Sequence, residues 1–536
     1  MSWRPGLDPR AVRHPATPAP GPEARPGESG RALVVGGGIA GLTAATGLAE
    51  RGVDVVLVER EATLGGRVRS WPVTPTGPDP TEPAAPSGVT MSRGFHAFFR
   101  QYYNLRALLR RADPGLERLV AVPDYPLTLA GGPTDSFAGI PRTPPLSIAA
   151  FVARSPSFPL SALRRVDVGA ALGLLDVRFP DIWSELDGVS AAEVLDRLRF
   201  PEQARHLALE VFARSFFADP RDFSGAELVA MFHTYFTGSA EGLLFDVPDD
   251  DYDTALWRPL AAHLGRLGVE LRTGTSVTGL ESTPDGIRAG LDDGGSLVVD
   301  DVVLATDRAT LQRLVADAPW LGEPAWRASV AAQRTAPPFA VWRLWLDRPA
   351  AAGSPLFLGT SGHGPLDNVT FVDRMEAGAA AWSRSSGGCV VELHAYAVTP
   401  GTDERSLRDE LRHQLHVLHP ELAGAGVLHE EWLLSQDCPL AGTDPWAGRP
   451  GVTTPDPRVV LAGDGIRCAL PVALMERAAT TGWLAANALL ARRGLPGHDL
   501  WTVPLEGRGR AVAHALRGLL GAGTPGTPAT PVGARQ

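Results

Sequence analysis

The 536-residue chain contains no lysine: all fifty of its basic residues are arginine. Abundant Ala, Gly and Pro accompany that absence, which reflects a GC-rich coding sequence rather than an activity. Acidic residues outnumber basic ones, and the net charge of -10 argues against nucleic acid as a partner. Cysteine is nearly absent. Cys389, Cys438 and Cys468 are odd in number and lack metal-ligand spacing, which excludes a disulfide framework and any zinc or iron–sulfur site. They point to a reducing compartment, the cytoplasm. No uninterrupted apolar run reaches the roughly 18 to 20 residues that span a bilayer, so membrane contact is expected to be peripheral, at the inner face of the cell membrane. Residues 1–30 are rich in Pro, Arg and Gly without an apolar core, which predicts a disordered extension rather than a signal peptide. The tail 521–536 reads the same way. What remains, 44% hydrophobic and 21% charged, is ordinary globular sequence long enough for two or more cores.

Leu33 to Arg60 is the most informative stretch. Leu33 to Val35 read as a buried parallel strand. Gly36 allows the tight turn after it, Gly38 allows the backbone to approach a pyrophosphate, and Gly41 allows close packing of the following helix on the strand. That helix offers free N–H groups and a positive dipole end to phosphates. Gly52 caps it, and Val53 to Val58 form a second strand ending at Glu59 and Arg60, with Glu59 roughly 20 residues past the glycines, where a ribose hydroxyl needs an acceptor. An acid there favours a free 2′-hydroxyl over a 2′-phosphate.

Three further pieces select flavin over nicotinamide. Gly65-Gly66-Arg67 resembles the GGR segment of FAD enzymes of the amine oxidase and phytoene desaturase superfamily, in which Arg67 would pair with phosphate or flank the ring. Val459 to Leu461 with Ala462, Gly463, Asp464 and Gly465 is a buried strand breaking into a glycine turn, followed by a helix from about Pro471 to Arg493. The resemblance makes Asp464 an acceptor for the ribityl chain and sets the helix start near the isoalloxazine. Val269 to Val277 with Val302 to Thr306 resembles the middle segment beside the adenine, with Val277 as the backbone contact. FAD is therefore the expected cofactor, and no metal is expected.

These pieces lie at both ends and in the middle of the chain. The expected fold is α/β, a discontinuous Rossmann-like FAD-binding domain (31–94, 254–310 and 440–495) with an inserted α+β substrate-binding domain (95–253 and 311–439). Capping boxes at Ser190 with Glu193 and at Ser224 with Glu227, and the periodic Leu407, Leu411, Leu415 and Leu418, mark helices that serve packing. The proline-rich loop from Trp71 to Val89 reads as an insertion.

Aromatic residues gather in two short stretches. Phe95, Phe98, Phe99, Tyr102 and Tyr103 form one, and Phe212, Phe216, Phe217, Phe223, Phe232, Tyr235 and Phe236 the other. Any single ring is more often core, but as a set they suit a tunnel for a long apolar substrate. The run from Arg93 to Arg106 around Gly94-Phe95-His96, and Ser215 to Arg221 around Phe217, with Phe232-His233 and Gly238 to Gly242, resemble the isorenieratene synthase group. These are the β-carotene desaturase/methyltransferases within the phytoene desaturase superfamily. The resemblance, over about 31–495, implies a carotenoid oxidoreductase that converts the β-ionone ring of β- or γ-carotene to a trimethylphenyl ring with a 1,2-methyl shift. A cation formed by hydride loss would be stabilised by the faces of Phe98, Phe99 and Tyr103, with Phe95 and Phe217 as further substrate-binding residues. His96 and then His233 are the candidate bases, although a histidine bonded to backbone is at least as common. Arg93 and Arg100 orient the loop or meet phosphate, and Asp219 caps a turn. The segment Ile148, Phe151 and Val152 through Leu160, Leu163 and Val166, with Arg154, Arg164 and Arg165, suits a membrane surface or an ordinary core. A phytoene-type desaturase, a carotene isomerase, an amine or protoporphyrinogen oxidase, and a flavin-binding scaffold without turnover all remain alternatives. The electron acceptor is left open.

Overall fold

The computed structural model describes residues 5–18, 30–73, 89–159, 161, 164, 166–200, 204 and 216–520. Its central sheet follows from short runs of Val, Leu and Ala. Arg31–Val35, Asp54–Glu59, Asp301–Leu304 and Val459–Leu461 are buried nearly throughout, as strands covered on both faces must be. With Glu270–Thr273 at one edge they form a five-stranded, wholly parallel sheet. Ala32, Val34, Val55 and Leu57 point into the core under helix Ile39–Ala49. Leu33, Val35, Val56 and Val58 point the other way, onto the antiparallel strands Val277–Thr283, Gly286–Leu291 and Ser296–Val299. The strand period of two separates the two faces.

Helix Ile39–Ala49 is buried along its whole length because helix Leu474–Arg492 lies directly on it. Two glycines permit that approach. A Cβ on Gly482 would stand 2.4 Å from the carbonyl oxygen of Ala40, and one on Gly47 would stand 2.8 Å from Ala486. The expected helix from Pro471 thus starts three residues later and otherwise has the predicted extent.

A seven-stranded mixed sheet runs in the order Val427–Ser435, Phe339–Leu346, Cys389–Ala395, Asn368–Phe371, Phe357–Ser361, Leu127–Leu129, Thr134–Asp135. Only the pairing of 357–361 with 127–129 is parallel. Strands from both inserted stretches therefore share one sheet. Helix Glu404–Leu418 covers it with Leu407, Leu411 and Leu415, starting at Asp403, which accepts the Ser406 N–H at 2.8 Å.

Several expectations are corrected by packing. Residues 5–18 are not disordered: Val12–His14 pairs with Leu500–Thr502, and Asp8 is fully buried, accepting from the Ala240 N–H at 2.8 Å and pairing with Arg508 at 2.5 Å. The capping box at Ser190 and Glu193 is complete, whereas at Ser224 only half forms. Glu227 is drawn away into buried ion pairs with Arg477 at 2.6 Å and Arg449 at 2.9 Å, so that helix does more than pack. Most of the loop from Trp71 to Val89, and the tail 521–536, lie outside the described residues; the loop's flanks Ser70–Pro72 and Thr90–Ser92 pair as strands. Helix Leu146–Arg154 has no buried residue, and Leu160, Leu163 and Arg165 also lie outside the described residues. Among the described residues, no helix is long and apolar enough to cross a membrane and no cluster could hold a metal. All three cysteines are free and buried.

His233, expected as a second candidate base, is a core residue. It is fully buried, its Nε2–H donates to the Pro504 carbonyl at 2.5 Å, and Nδ1 has no partner. His498 is likewise held through Nε2 by the Gly47 carbonyl at 2.8 Å. Burial pushes both imidazoles down to about 4. The unfolded chain then binds more protons between about pH 6.5 and 4, so stability is full above that window and falls as pH drops through it, by up to roughly 3 kcal/mol per histidine. Urea midpoints at pH 7 and pH 5 are expected to differ in that sense, and His233→Gln is expected to flatten the difference. The helix contact gives a second expectation. Gly482→Ala overpacks it and lowers stability by about 1–2 kcal/mol even after the gain in helix propensity, whereas Gly265→Ala, with nothing within 4 Å of the new methyl, raises it by about 0.5–1 kcal/mol in thermal denaturation.

Candidate active site

A single cavity of about 620 Å³ runs from the first glycine turn to a chamber walled by aromatic rings. At its near end the strand Arg31–Val35 breaks at Gly36, whose φ of +108° and whose absent Cβ, 2.4 Å from the Ala305 carbonyl, require glycine. Helix Ile39–Ala49 then begins at Gly38 with no side-chain cap and no acid in its first turn. Its N-terminal N–H groups and dipole are thus left for an anion. Gly65 (φ +104°) and Gly66 (φ +59°) press on this turn; the Gly65 N–H donates to the Gly37 carbonyl at 2.8 Å, and a Cβ on Gly66 would stand 3.0 Å from the Gly38 Cα. Glu59 accepts the Gly37 N–H at 2.6 Å and the Glu61 N–H at 2.9 Å, which fixes its carboxylate at the cavity wall with lone pairs to spare. Arg60 also lines the wall and pairs with Asp307 at 3.2 Å. Gly41 does not line it: a Cβ there would meet the Gly36 carbonyl at 1.9 Å, so its part is the expected close packing of helix on strand.

Val277 lines the cavity beside this turn, and its carbonyl accepts from Arg313 at 3.1 Å. Farther in, Gly463 (φ +149°) and Asp464 follow the strand Val459–Leu461. The Gly463 N–H donates to the Thr481 hydroxyl at 2.9 Å, which locks the turn to helix Leu474–Arg492. Asp464 pairs with Arg67 at 2.5 Å. Both line the cavity and hold each other there. The residues fit FAD: an uncapped helix start for pyrophosphate, a fixed carboxylate at ribose distance along the sheet, and a second glycine turn beyond.

The far end is aromatic. Phe95 lies on Phe357 at 4.6 Å, Phe99 on Tyr235 at 4.6 Å and Tyr125 on Phe245 at 4.7 Å, all at the wall. Phe217, held at φ +55°, packs between Phe339 at 4.9 Å and Tyr396 at 5.0 Å. Two expected ring contacts are corrected. Phe98 and Phe99 are successive strand residues and must face opposite ways; Phe99 meets the cavity, and Phe98 is fully buried in the core. Tyr103 points instead to Glu241 under the N-terminal segment, 3.4 Å from its carboxylate. Phe212 and Ser215 lie outside the described residues. Arg93 pairs with Asp437 at 2.5 Å and Arg100 with Asp246 at 3.1 Å, so both orient the loop. Asp219 accepts the Arg221 N–H at 2.8 Å, as a turn cap does.

His96 lines the cavity, with Nδ1 2.8 Å from the Gly94 carbonyl. A carbonyl only accepts, so Nδ1 carries the proton and Nε2 is the bare nitrogen. Burial pushes this imidazole down to about 4, against the pull of that bond. Sequence reasoning missed a second group at the same wall. His394 bonds Glu392 through Nε2 at 2.7 Å and Tyr396 through Nδ1 at 2.8 Å; Glu392 in turn pairs with the buried Arg343 at 2.7 Å. Burial alone would raise the Glu392 carboxyl, but Arg343 and His394 hold it down at about 2. Glu376, which shares Arg343 at 3.2 Å, is pushed up to about 7 by burial. The signal was present as Arg343 within FAVWRLWL and as Glu392 and His394, two apart, within CVVELHA: charged residues on strands buried at every position.

Comparison with known proteins agrees with this geometry. A family model for flavin containing amine oxidoreductases matches residues 39–490. A carotenoid phi-ring synthase of Streptomyces griseus is 55% identical over 94% of this chain and 96% of its own. A carotenoid phi-ring synthase of Chlorobaculum tepidum is 26% identical over 89% of this chain and 91% of its own. Among solved structures, cyclohexylamine oxidase from Brevibacterium oxydans superposes with a TM-score of 0.59 at 17% identity, over 86% of this chain and 99% of its own, a likeness of fold. The chain belongs to the flavin containing amine oxidoreductase family and is an FAD-dependent oxidoreductase.

Proposed function

We propose that the enzyme acts on a carotene, aromatising its β-ionone ring to a trimethylphenyl ring with a 1,2-methyl shift, as an isorenieratene synthase-like desaturase/methyltransferase. The observation that carries this reading is the continuity of one cavity from the Gly36–Gly38 turn to a chamber walled largely by aromatic rings, with Asn368, Asp367 and His394 among them. The 55% identity to a protein named for a carotenoid ring supports it. In this reading 31–94, 254–310 and 440–495 form the FAD-binding domain, and 95–253 with 311–439 form the substrate domain. Gly36, Gly38, Glu59, Arg60, Gly65, Gly66, Arg67, Val277, Gly463 and Asp464 would hold the cofactor. When bound, FAD would supply a hydride acceptor.

The chain's own residues do the rest. Phe95, Phe99 and Phe217 exclude water and turn their ring faces to the cation left behind, at roughly 0.5–2 kcal/mol each, without attacking it. The methyl shift removes the quaternary carbon that blocks aromaticity, and a proton must then leave. His96, neutral with a bare Nε2, is the residue that the sequence offers as its acceptor. Helix Leu146–Arg154 has no fully buried residue, and although Phe151 stacks on Phe137 at 5.0 Å, its remaining surface could rest on the inner face of the cell membrane, where a carotene is dissolved.

Two measurements test the reading. Expressed in a β-carotene-producing bacterium, the protein is expected to yield a pigment four hydrogens lighter per ring modified, with β-carotene consumed. Consumption of linear carotenes only would replace the reading with a phytoene-type desaturase, and an unchanged pigment profile would end it. The cofactor assignment is read separately. Arg67→Gln leaves the half-buried Asp464 without its cation at the cofactor wall, so the purified variant is expected to lose most of its flavin absorbance.

A further inference from the structure

The strand Cys389–Ala395 is buried at every position, yet it carries Glu392 and His394. Both are about 1% exposed, and His394 nevertheless reaches the cavity wall, as does Tyr396. The hydrogen bonds fix where the protons are. Glu392 is a carboxylate and only accepts, so His394 Nε2, 2.7 Å away, carries the proton and Nδ1 is bare. The Phe95 N–H also approaches Nε2, at 3.4 Å, a much longer contact than the 2.7 Å bond to Glu392. The Tyr396 hydroxyl at 2.8 Å must then donate to Nδ1. It also accepts from the Asn368 amide at 3.0 Å. A hydroxyl has one proton and two lone pairs, so one lone pair of Tyr396 remains for a group in the cavity. The signature segment is built around this unit. Gly94, at φ +101°, lies so close that a Cβ would stand 2.5 Å from His394 Cε1.

His96 has no such support. A proton gained at its Nε2 would make a half-buried cation whose other nitrogen faces a carbonyl, with no carboxylate among the described residues in bonding distance. His394 has the Glu392 carboxylate already against it, anchored by Arg343.

We propose that Tyr396, His394 and Glu392 form the proton-accepting relay of the aromatising reaction, displacing His96 from that role. The inference rests on the carotene-ring reading above. Each desaturation removes two hydrogens, one leaving as hydride to the flavin and the other as a proton. For the proton, a ring C–H bond breaks, its electron pair becomes a ring π bond, and a new O–H bond forms on Tyr396. The original Tyr396 proton passes to His394 Nδ1, and the imidazolium stands against the Glu392 carboxylate. Tyr396 is the catalytic residue; His394 and Glu392 act through it.

The decisive variant is His394→Gln. A glutamine amide can still donate to Glu392 and accept from Tyr396, but it takes up no proton, so the architecture is kept and only the relay is lost. With purified, flavin-loaded enzyme and β-carotene in detergent micelles, His394→Gln and Tyr396→Phe are each expected to lower kcat about 100-fold or more while KM stays within about threefold. The double variant should fall no further than either single one, as expected for groups acting as a unit. A kcat for His394→Gln within about threefold of wild type, or losses that multiply in the double variant, overturns the relay while leaving the carotene reading intact. Wild-type enzyme that consumes no cyclic carotene overturns both. Should Tyr396→Phe fail to fold, His394→Gln decides alone.

Discussion

The contact of two glycine turns, Gly36 to Gly38 on Gly65 and Gly66, is the constraint on which the rest of the site depends. The Gly65 N–H donates to the Gly37 carbonyl, and a Cβ on Gly66 would stand 3.0 Å from the Gly38 Cα, so the second turn can lie this close only with glycine there. That bond draws the chain after the strand Asp54–Glu59 back over the start of helix Ile39–Ala49, and it aims Arg67 across the cavity at Asp464. The same economy of side chains recurs behind it. Gly47 and Gly482 let helix Leu474–Arg492 lie directly on helix Ile39–Ala49, and Thr481, one residue before Gly482, ties that helix to the Gly463 turn. The near end of the cavity is therefore set by backbone meeting backbone, which leaves little room for movement.

The aromatic end is made differently. It rests on strands from both inserted stretches joined in one sheet, so its walls are held by pairings between residues more than two hundred positions apart, such as 357–361 with 127–129. Buried ion pairs cross the boundary between the parallel sheet's layer and this part. Glu227 with Arg477 and Arg449 is the clearest of them. Such pairs add little net stability against apolar substitutes, but removing one partner is costly, so they fix one arrangement of the two layers.

Local patterns were legible and long-range ones were not. The strand, turn and helix of Leu33 to Arg60 announce themselves because each residue type answers a local demand, and the predicted strand after Val459 and helix to Arg493 follow for the same reason. Phe98 and Tyr103 were misread because a cluster of aromatics in sequence says nothing of which face each ring takes; that is settled by strand alternation and by where the N-terminal segment lies. Residues 5–18 lacked an apolar pattern because they are held by Asp8 and Glu241 rather than by a core of their own. The Ser224 capping box failed at its second half because Glu227 finds two arginines that only the fold brings near. The Glu392, His394 and Tyr396 group was hidden by its apolar surroundings, although charged residues on a strand too apolar to face water are themselves a signal.

The absence of lysine acquires a meaning at the site. Every cation at the cavity wall apart from histidine is an arginine, which does not release its proton in a protein. Arg60 holds Asp307, Arg67 holds Asp464 and Arg93 holds Asp437, so three carboxylates at the wall are each bound to a permanent positive charge. The imidazole and phenol groups stand instead at the aromatic end, where an apolar ring would lie. Of those groups, only the one that keeps a carboxylate behind it can hold a proton without leaving a bare charge in an oily chamber.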